Sequence, residues 1–118
     1  MYPLPWVMWC GASAIVHEEV RLKIYRFARG RPTDAFWDLT PEEQAESSAK
    51  EEEAREKVGG KLLVMGTQYW ADEHWLLCNV IEFPSIEAAM EYSRLLWEAG
   101  TKGWEGESWL AKELPSQT

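Results

Sequence analysis

Two helix-start signals divide this sequence and limit what it can fold into. Thr40-Pro41-Glu42-Glu43 offers a capping threonine, a proline suited to the first helical position and a glutamate placed to close a capping box. Pro84-Ser85 opens a second helix with Ser85 as its cap. The first helix is predicted to run to about Val58, where Gly59-Gly60 stops it, and the second to Gly100. The segments around them alternate with period two, as half-buried strands do.

Glu19 to Phe27 is the first such segment: Val20, Leu22 and Ile24 alternate with Arg21, Lys23 and Tyr25, and Gly30 and Pro32 are expected to end it. Phe36, Trp37 and Leu39 then make an apolar knot. Lys61 to Trp70 reads as a second strand, Ala71-Asp72-Glu73 as a hairpin turn and His74 to Phe83 as a third, antiparallel strand. Trp104 to Leu114 gives the last, with Trp109 near its middle.

The helices differ. The first has a thin apolar face, Ala45, Ala49 and Val58, and its run Lys50 to Lys57 (KEEEAREK) reads as a solvated face laced by i,i+4 pairs rather than a functional acidic patch. The second carries an amphipathic stripe of Ala88, Tyr92, Leu95, Leu96 and Ala99. The order strand, helix, strand, strand, helix, strand implies an α+β domain: a four-stranded antiparallel sheet with two helices on one face. The other face is then bare, with apolar and aromatic groups on it. A homodimer packed face to face is the simplest way to cover such a surface.

Composition narrows the partners. A chain of 118 residues builds one core, and 46% hydrophobic with 27% charged residues is an ordinary globular balance. Eight Trp is not ordinary at this length, and implies either an aromatic core or apolar surface left for a ligand or partner. The net charge of −8 argues against nucleic acid and against an anionic membrane surface, since the only basic cluster is Arg26, Arg29 and Arg31. Cys10 and Cys78 read as free thiols of a reducing, cytoplasmic setting, with a single disulfide left open, and no Cys or His pair has zinc-ligand spacing.

Residues 1–18 form an apolar arm ahead of the domain at 19–118. The arm lacks the basic start of a signal peptide, is broken by Pro3 and Pro5, and is too short to span a bilayer. It is expected to pack on the domain or a partner, or to be an upstream leader without a role.

The element order from Glu19 to Leu114, the strand-to-helix crossing Val80-Ile81-Glu82-Phe83-Pro84-Ser85-Ile86-Glu87-Ala88-Ala89, and Leu39-Thr40-Pro41-Glu42-Glu43 followed by Gly59-Gly60-Lys61 carry a resemblance. The chain resembles the dimeric α/β-barrel superfamily. This ferredoxin-like group includes antibiotic-biosynthesis monooxygenases, EthD-like proteins and olivetolic-acid-type cyclases. The resemblance covers roughly the last hundred residues and bears on fold more than on chemistry. It implies a cavity between sheet and helices or inside the dimer barrel, holding a hydrophobic, often aromatic, small molecule. Some members of the group act on it without a cofactor, and others bind haem. The haem-degrading branch is expected to carry a histidine on the second helix, and this chain has none there.

Each candidate site residue has a plainer reading beside the chemical one. His74, at the start of the third strand between Trp70 and Trp75, is a general base or a surface histidine at a hairpin. His17 is a weaker version of the same choice. Asn79, mid-strand, either steadies an oxyanion or bonds backbone at a bulge. Glu82 alternates away from Asn79 and Phe83, so with Phe83 under the second helix it faces the barrel side. There it is a base of raised pKa, or it pairs with Arg21 or Lys23.

Tyr25, Tyr69, Trp70, Trp75, Trp104 and Trp109 line an aromatic pocket or serve core and interface. Cys78 lacks the adjacent base a nucleophile needs. Phosphate loops, dinucleotide fingerprints, paired metal motifs and nucleophile elbows are missing from the sequence. The leading expectation is a small-molecule binder or cofactor-independent enzyme of monooxygenase or cyclase type. The alternatives are a non-catalytic protein dimerising through its sheet, and a haem-binding protein.

Overall fold

The computed structural model describes residues 22–71, 73–100 and 103–115. The arm 1–18, Cys10, His17, Glu19 to Arg21 and Asp72 lie outside the described residues. The elements are β1 (Ile24–Pro32), α1 (Asp34–Trp37), α2 (Pro41–Lys57), β2 (Lys61–Thr67), β3 (Leu77–Phe83), α3 (Ile86–Ala99) and β4 (Trp104–Lys112). The strands form one four-stranded antiparallel sheet in the order β2-β3-β1-β4.

The two helix-start signals act as their chemistry requires. Thr40 Oγ1 accepts from the Glu43 N–H while the Glu43 carboxylate accepts from the Thr40 N–H, closing the capping box at α2. Ser85 Oγ accepts from the Ala88 N–H at the start of α3. Such bonds satisfy backbone donors that the first helical turn leaves unpaired.

The strand ends differ from the sequence expectation. β1 runs on through Gly30 to Pro32. Gly30 stands opposite Gly106, where the two backbones approach closely without side chains between them. Pro32 pairs only with Trp104 on β4, so its missing N–H breaks no interior ladder. β2 stops at Thr67 and β3 starts at Leu77, leaving a 68–76 loop that contains His74 and Trp75. The Thr67 hydroxyl and the Gln68 N–H both donate to the Leu76 carbonyl, which closes the loop at its base. β4 ends at Lys112, with Leu114 exposed beyond it.

The core lies between the sheet and the helices. Ile81 and Phe83 of β3 are fully buried, with Ile24 of β1, Ala54 of α2 and Ala89 and Tyr92 of α3 around them. Val58, Leu62, Ala88, Leu95 and Leu96 pack against this cluster. Phe83 and Tyr92 meet with ring centroids 5.3 Å apart. A polar string crosses the same layer. The Tyr92 hydroxyl donates to Glu51 Oε2 at 2.6 Å, Arg55 reaches the same oxygen at 3.3 Å, and the Arg26 guanidinium lies 5.4 Å from the centre of the Tyr92 ring.

The apolar knot becomes the one-turn helix α1. Phe36 sits edge-on to both Trp37 and Trp104 at 5.3 Å, and Thr33 donates to the Gly103 carbonyl through its N–H at 2.7 Å and its hydroxyl at 3.1 Å. Gly103 adopts φ +89, and a Cβ there would fall 2.6 Å from Phe36 Cα, so glycine is needed for both reasons.

Candidate functional site

The second face of the sheet bears no helix among the described elements. Strand alternation and pairing arrange it in cross-strand rows. One row is Lys61, Glu82, Tyr25 and Ala111; the next is Val64, Val80, Phe27 and Trp109; the third is Gly66, Cys78, Arg29 and Glu107; the fourth holds Arg31 and Glu105. The bare face is thus less uniformly apolar than the sequence implies: one apolar row runs across it between rows that carry charge.

A bulge creates that apolar row. Leu62 pairs with Ile81 and belongs to the helix-covered side, whereas Val64 pairs with Val80 and belongs to the open side. Leu63 is the extra residue between them, and it reverses the parity of everything that follows in β2. Val64, Gly66 and then Gln68 are delivered to the open face by this single irregularity.

A shallow cavity of about 230 Å³ lies over the apolar row. It is bordered by Phe27, Arg29, Val64, Gln68, Cys78, Val80 and Trp109, and also by Ala28 and Asn79, whose side chains alternation assigns to the helix-covered side. Gly66 lies between Val64 and Gln68 in the chain and opposite Cys78 in the register. A Cβ at that position would touch only Cys78 Sγ, at 3.6 Å, so the space beyond is open. Phe27 and Trp109 stack at 6.0 Å with planes 10° apart and form one wall, and Trp109 stays 52% exposed.

Charge is organised around this band. Arg29 donates through Nε to Glu107 Oε1 at 2.7 Å, and its second nitrogen lies 2.6 Å from the same oxygen. Its guanidinium also lies 5.0 Å from the centre of the Trp75 ring. Arg31 pairs with Glu105 at 3.0 Å, and Lys23 Nζ with Glu82 Oε2 at 3.5 Å. Two amide oxygens, Gln68 Oε1 and Asn79 Oδ1, are buried without a hydrogen-bond partner among the described residues.

The expected site residues are scattered by this geometry. Trp109 and Asn79 border the cavity. Tyr25 and Glu82 share the open face but stand one row away, facing each other in the register. Glu82 lies opposite the buried Phe83, as alternation requires, and takes Lys23 as its ion-pair partner. His74 is about half exposed in the 68–76 loop, edge-on to Trp75 at 4.6 Å, with Nε2 3.7 Å from Glu105 Oε1. Tyr69 and Trp70 sit on the loop tip, Trp70 being 84% exposed. Trp104 is spent on Phe36, and Trp75 on Arg29 and His74. Cys78 is a free thiol at the cavity wall. Phe27, Arg29, Val64, Gln68 and Val80 were not legible as lining residues, because only the register and the bulge bring them together.

No group of three His, Cys, Asp or Glu among the described residues is placed to hold a metal ion. Nor is any described helix long and apolar enough to cross a membrane.

Solved structures resemble this arrangement. Chlorite dismutase from Candidatus Nitrospira defluvii, in complex with imidazole, superposes with a TM-score of 0.63 at 12% identity, over 80% of this chain and 41% of that one. The RPA0582 protein of unknown function from Rhodopseudomonas palustris superposes with a TM-score of 0.50 at 23% identity, over 91% of this chain and 93% of that one. Its methylated form gives 0.54 at 20% identity. The fold is ferredoxin-like. At these identities the likeness concerns the fold alone, and this chain spans less than half of the chlorite dismutase chain. No protein-family model matches the sequence, and no curated protein matches it.

Proposed function

We propose that the chain is a small-molecule-binding unit of a two-copy α/β barrel, in which the open faces of two sheets meet and enclose an apolar or aromatic ligand. The observation that carries this reading is the uncovered row Val64, Val80, Phe27 and Trp109 with the shallow cavity over it. A desolvated middle flanked by charged rows is how protein interfaces are commonly built. The chlorite dismutase chain has room for two units of this size, in keeping with a paired arrangement. The resemblance of 80–89 to the strand-to-helix crossing of antibiotic-biosynthesis monooxygenases and EthD-like proteins supports the same reading. A cytoplasmic setting suits the free thiol of Cys78.

Within that reading, binding is better supported than catalysis. A general base must lie within hydrogen-bond reach of the proton it takes. His74 and Glu82 both lie outside the apolar row and face charged partners. A monooxygenase- or cyclase-type reaction therefore has no base at the cavity among the described residues.

Haem fits poorly. No histidine that could serve as its axial ligand borders the cavity among the described residues.

The test pairs mass measurement with a neutral apolar dye. Light scattering is expected to give the mass of two chains, and N-phenylnaphthylamine to bind with enhanced fluorescence. Trp109→Ala removes an exposed ring from the cavity lining and is expected to weaken the dye at least about tenfold while leaving the melting temperature within a few degrees. A two-chain mass with no dye uptake would instead favour a purely structural dimer, and a single-chain mass would remove the barrel.

A further inference from the structure

We propose that residues 1–16 of the same chain cover a second apolar stripe of α3, on the opposite side of the sheet from the cavity. The proposal goes beyond the binding reading and does not depend on it.

Two apolar faces run along α3. One is the core face, where Ala89 and Tyr92 are buried. The other holds Ile86, Met90 and Trp97, spaced i, i+4 and i+11. At 3.6 residues per turn they share an arc of about 40°, turned away from Tyr92. All three are exposed, Trp97 to 87% and Met90 to 61%. The charges of the helix keep to a neighbouring flank, where Arg94 pairs with Glu91 and Glu98. A surface helix ordinarily turns polar groups outward, so three large apolar side chains in one line mark a surface that something covers.

Charge and reach point to the occupant. Residues 1–16 carry no charged side chain and include Trp6 and Trp9. Laid across the open sheet face, such a segment would strip water from the charged rows of Arg29, Glu107 and Glu82 without offering them partners. The stripe on α3 makes no such demand. The described chain begins at Leu22 and enters the sheet at the end from which α3 starts. There the Lys23 carbonyl accepts from the Glu113 N–H at 2.8 Å and the Lys23 N–H donates to the Glu113 carboxylate at 3.1 Å. Ile24 pairs with Phe83, three residues before Ile86. Extended, residues 1–21 reach up to about 70 Å, whereas the 14 residues of α3 span about 21 Å, so the whole stripe is within range.

Peroxide oxidation of the intact protein, read by peptide mass, tests this with an internal reference. Met65 is 55% exposed on β2, close to the 61% of Met90, so the two thioethers would oxidise alike if neither were covered. Met90 is expected to react about tenfold or more slowly than Met65, and Trp6→Ser/Trp9→Ser to bring the two rates within about twofold. Should that variant lose its fold, both rates rise together, and Trp97→Ser decides instead: it removes an exposed ring, leaves the core intact and should release Met90 in the same way. Equal rates in wild type would show the stripe uncovered and overturn the proposal. Protection that survives the substitutions would overturn it too, as would protection lost on dilution, which would assign the stripe to a second copy.

Discussion

The hydroxyl of Tyr92 on α3 donates to Glu51 Oε2 on α2 at 2.6 Å, a bond that ties the two helices together above the sheet. Burial raises the Tyr92 pKa well above the ordinary tyrosine value of about 10, and the carboxylate partner raises it further. The unfolded chain therefore ionises this phenol at a lower pH than the folded chain does. Stability from the group is complete below about pH 10 and is lost as pH rises beyond it. Urea unfolding at about pH 8 and about pH 11 is expected to show a steeper alkaline loss for wild type than for Tyr92→Phe. At the lower pH the variant should lose about 1 kcal/mol, the usual net value of such a bond.

Phe83 has no exposed surface and stands at the centre of the core. Truncation leaves a cavity that the neighbouring Ile81, Tyr92 and Ile24 cannot fill without shifting. Phe83→Ala is expected to lose roughly 3–5 kcal/mol in equilibrium urea unfolding. A loss below about 1 kcal/mol would mean that the helices do not pack on the sheet as described.

Two glycines with positive φ separate backbone strain from steric conflict. Gly100 has φ +66 with nothing within 4 Å of an added Cβ, whereas Gly103 has φ +89 with Phe36 backbone 2.6 Å away. Gly100→Ala is expected to cost about 1 kcal/mol. Gly103→Ala should cost clearly more, because α1 must move away from β4 as well. Thermal melts of the two variants rank them directly.

The apolar row and the helix layer make opposite predictions for self-association. Val80→Asp places a charge in the middle of the open face and is expected to weaken a two-copy assembly by about a hundredfold or more. Met90→Asp, on the exposed surface of α3, should leave it unchanged. Sedimentation over a concentration series reads both, and equal effects would move the interface away from the sheet.

The sequence made the helices legible because their starts are chemical and local. A hydroxyl, a proline and a carboxylate within four residues need no distant partner to be recognised. The strand ends were less legible. Whether Gly30 ends β1 depends on Gly106, and whether His74 and Trp75 extend β3 depends on Leu76 taking two donors from across the loop. The same holds for the site. Alternation placed Glu82 opposite Phe83, and Lys23 was among its anticipated partners. Period two alone, however, assigns Val64 and Gln68 to the side of Leu62, and only the pairing with β3 reveals the reversal.

That reversal makes β2 a strand whose phase is stored in its length. Removing Leu63 would set Val64 directly after Leu62, still opposite Val80, and the ladder would simply become regular. The loss of a whole residue should thus be milder here than the loss of a single ring at Phe83. Homologous chains that differ by one residue at this point are expected to present the same open face, so a gap there would mark drift in the backbone rather than a change of ligand.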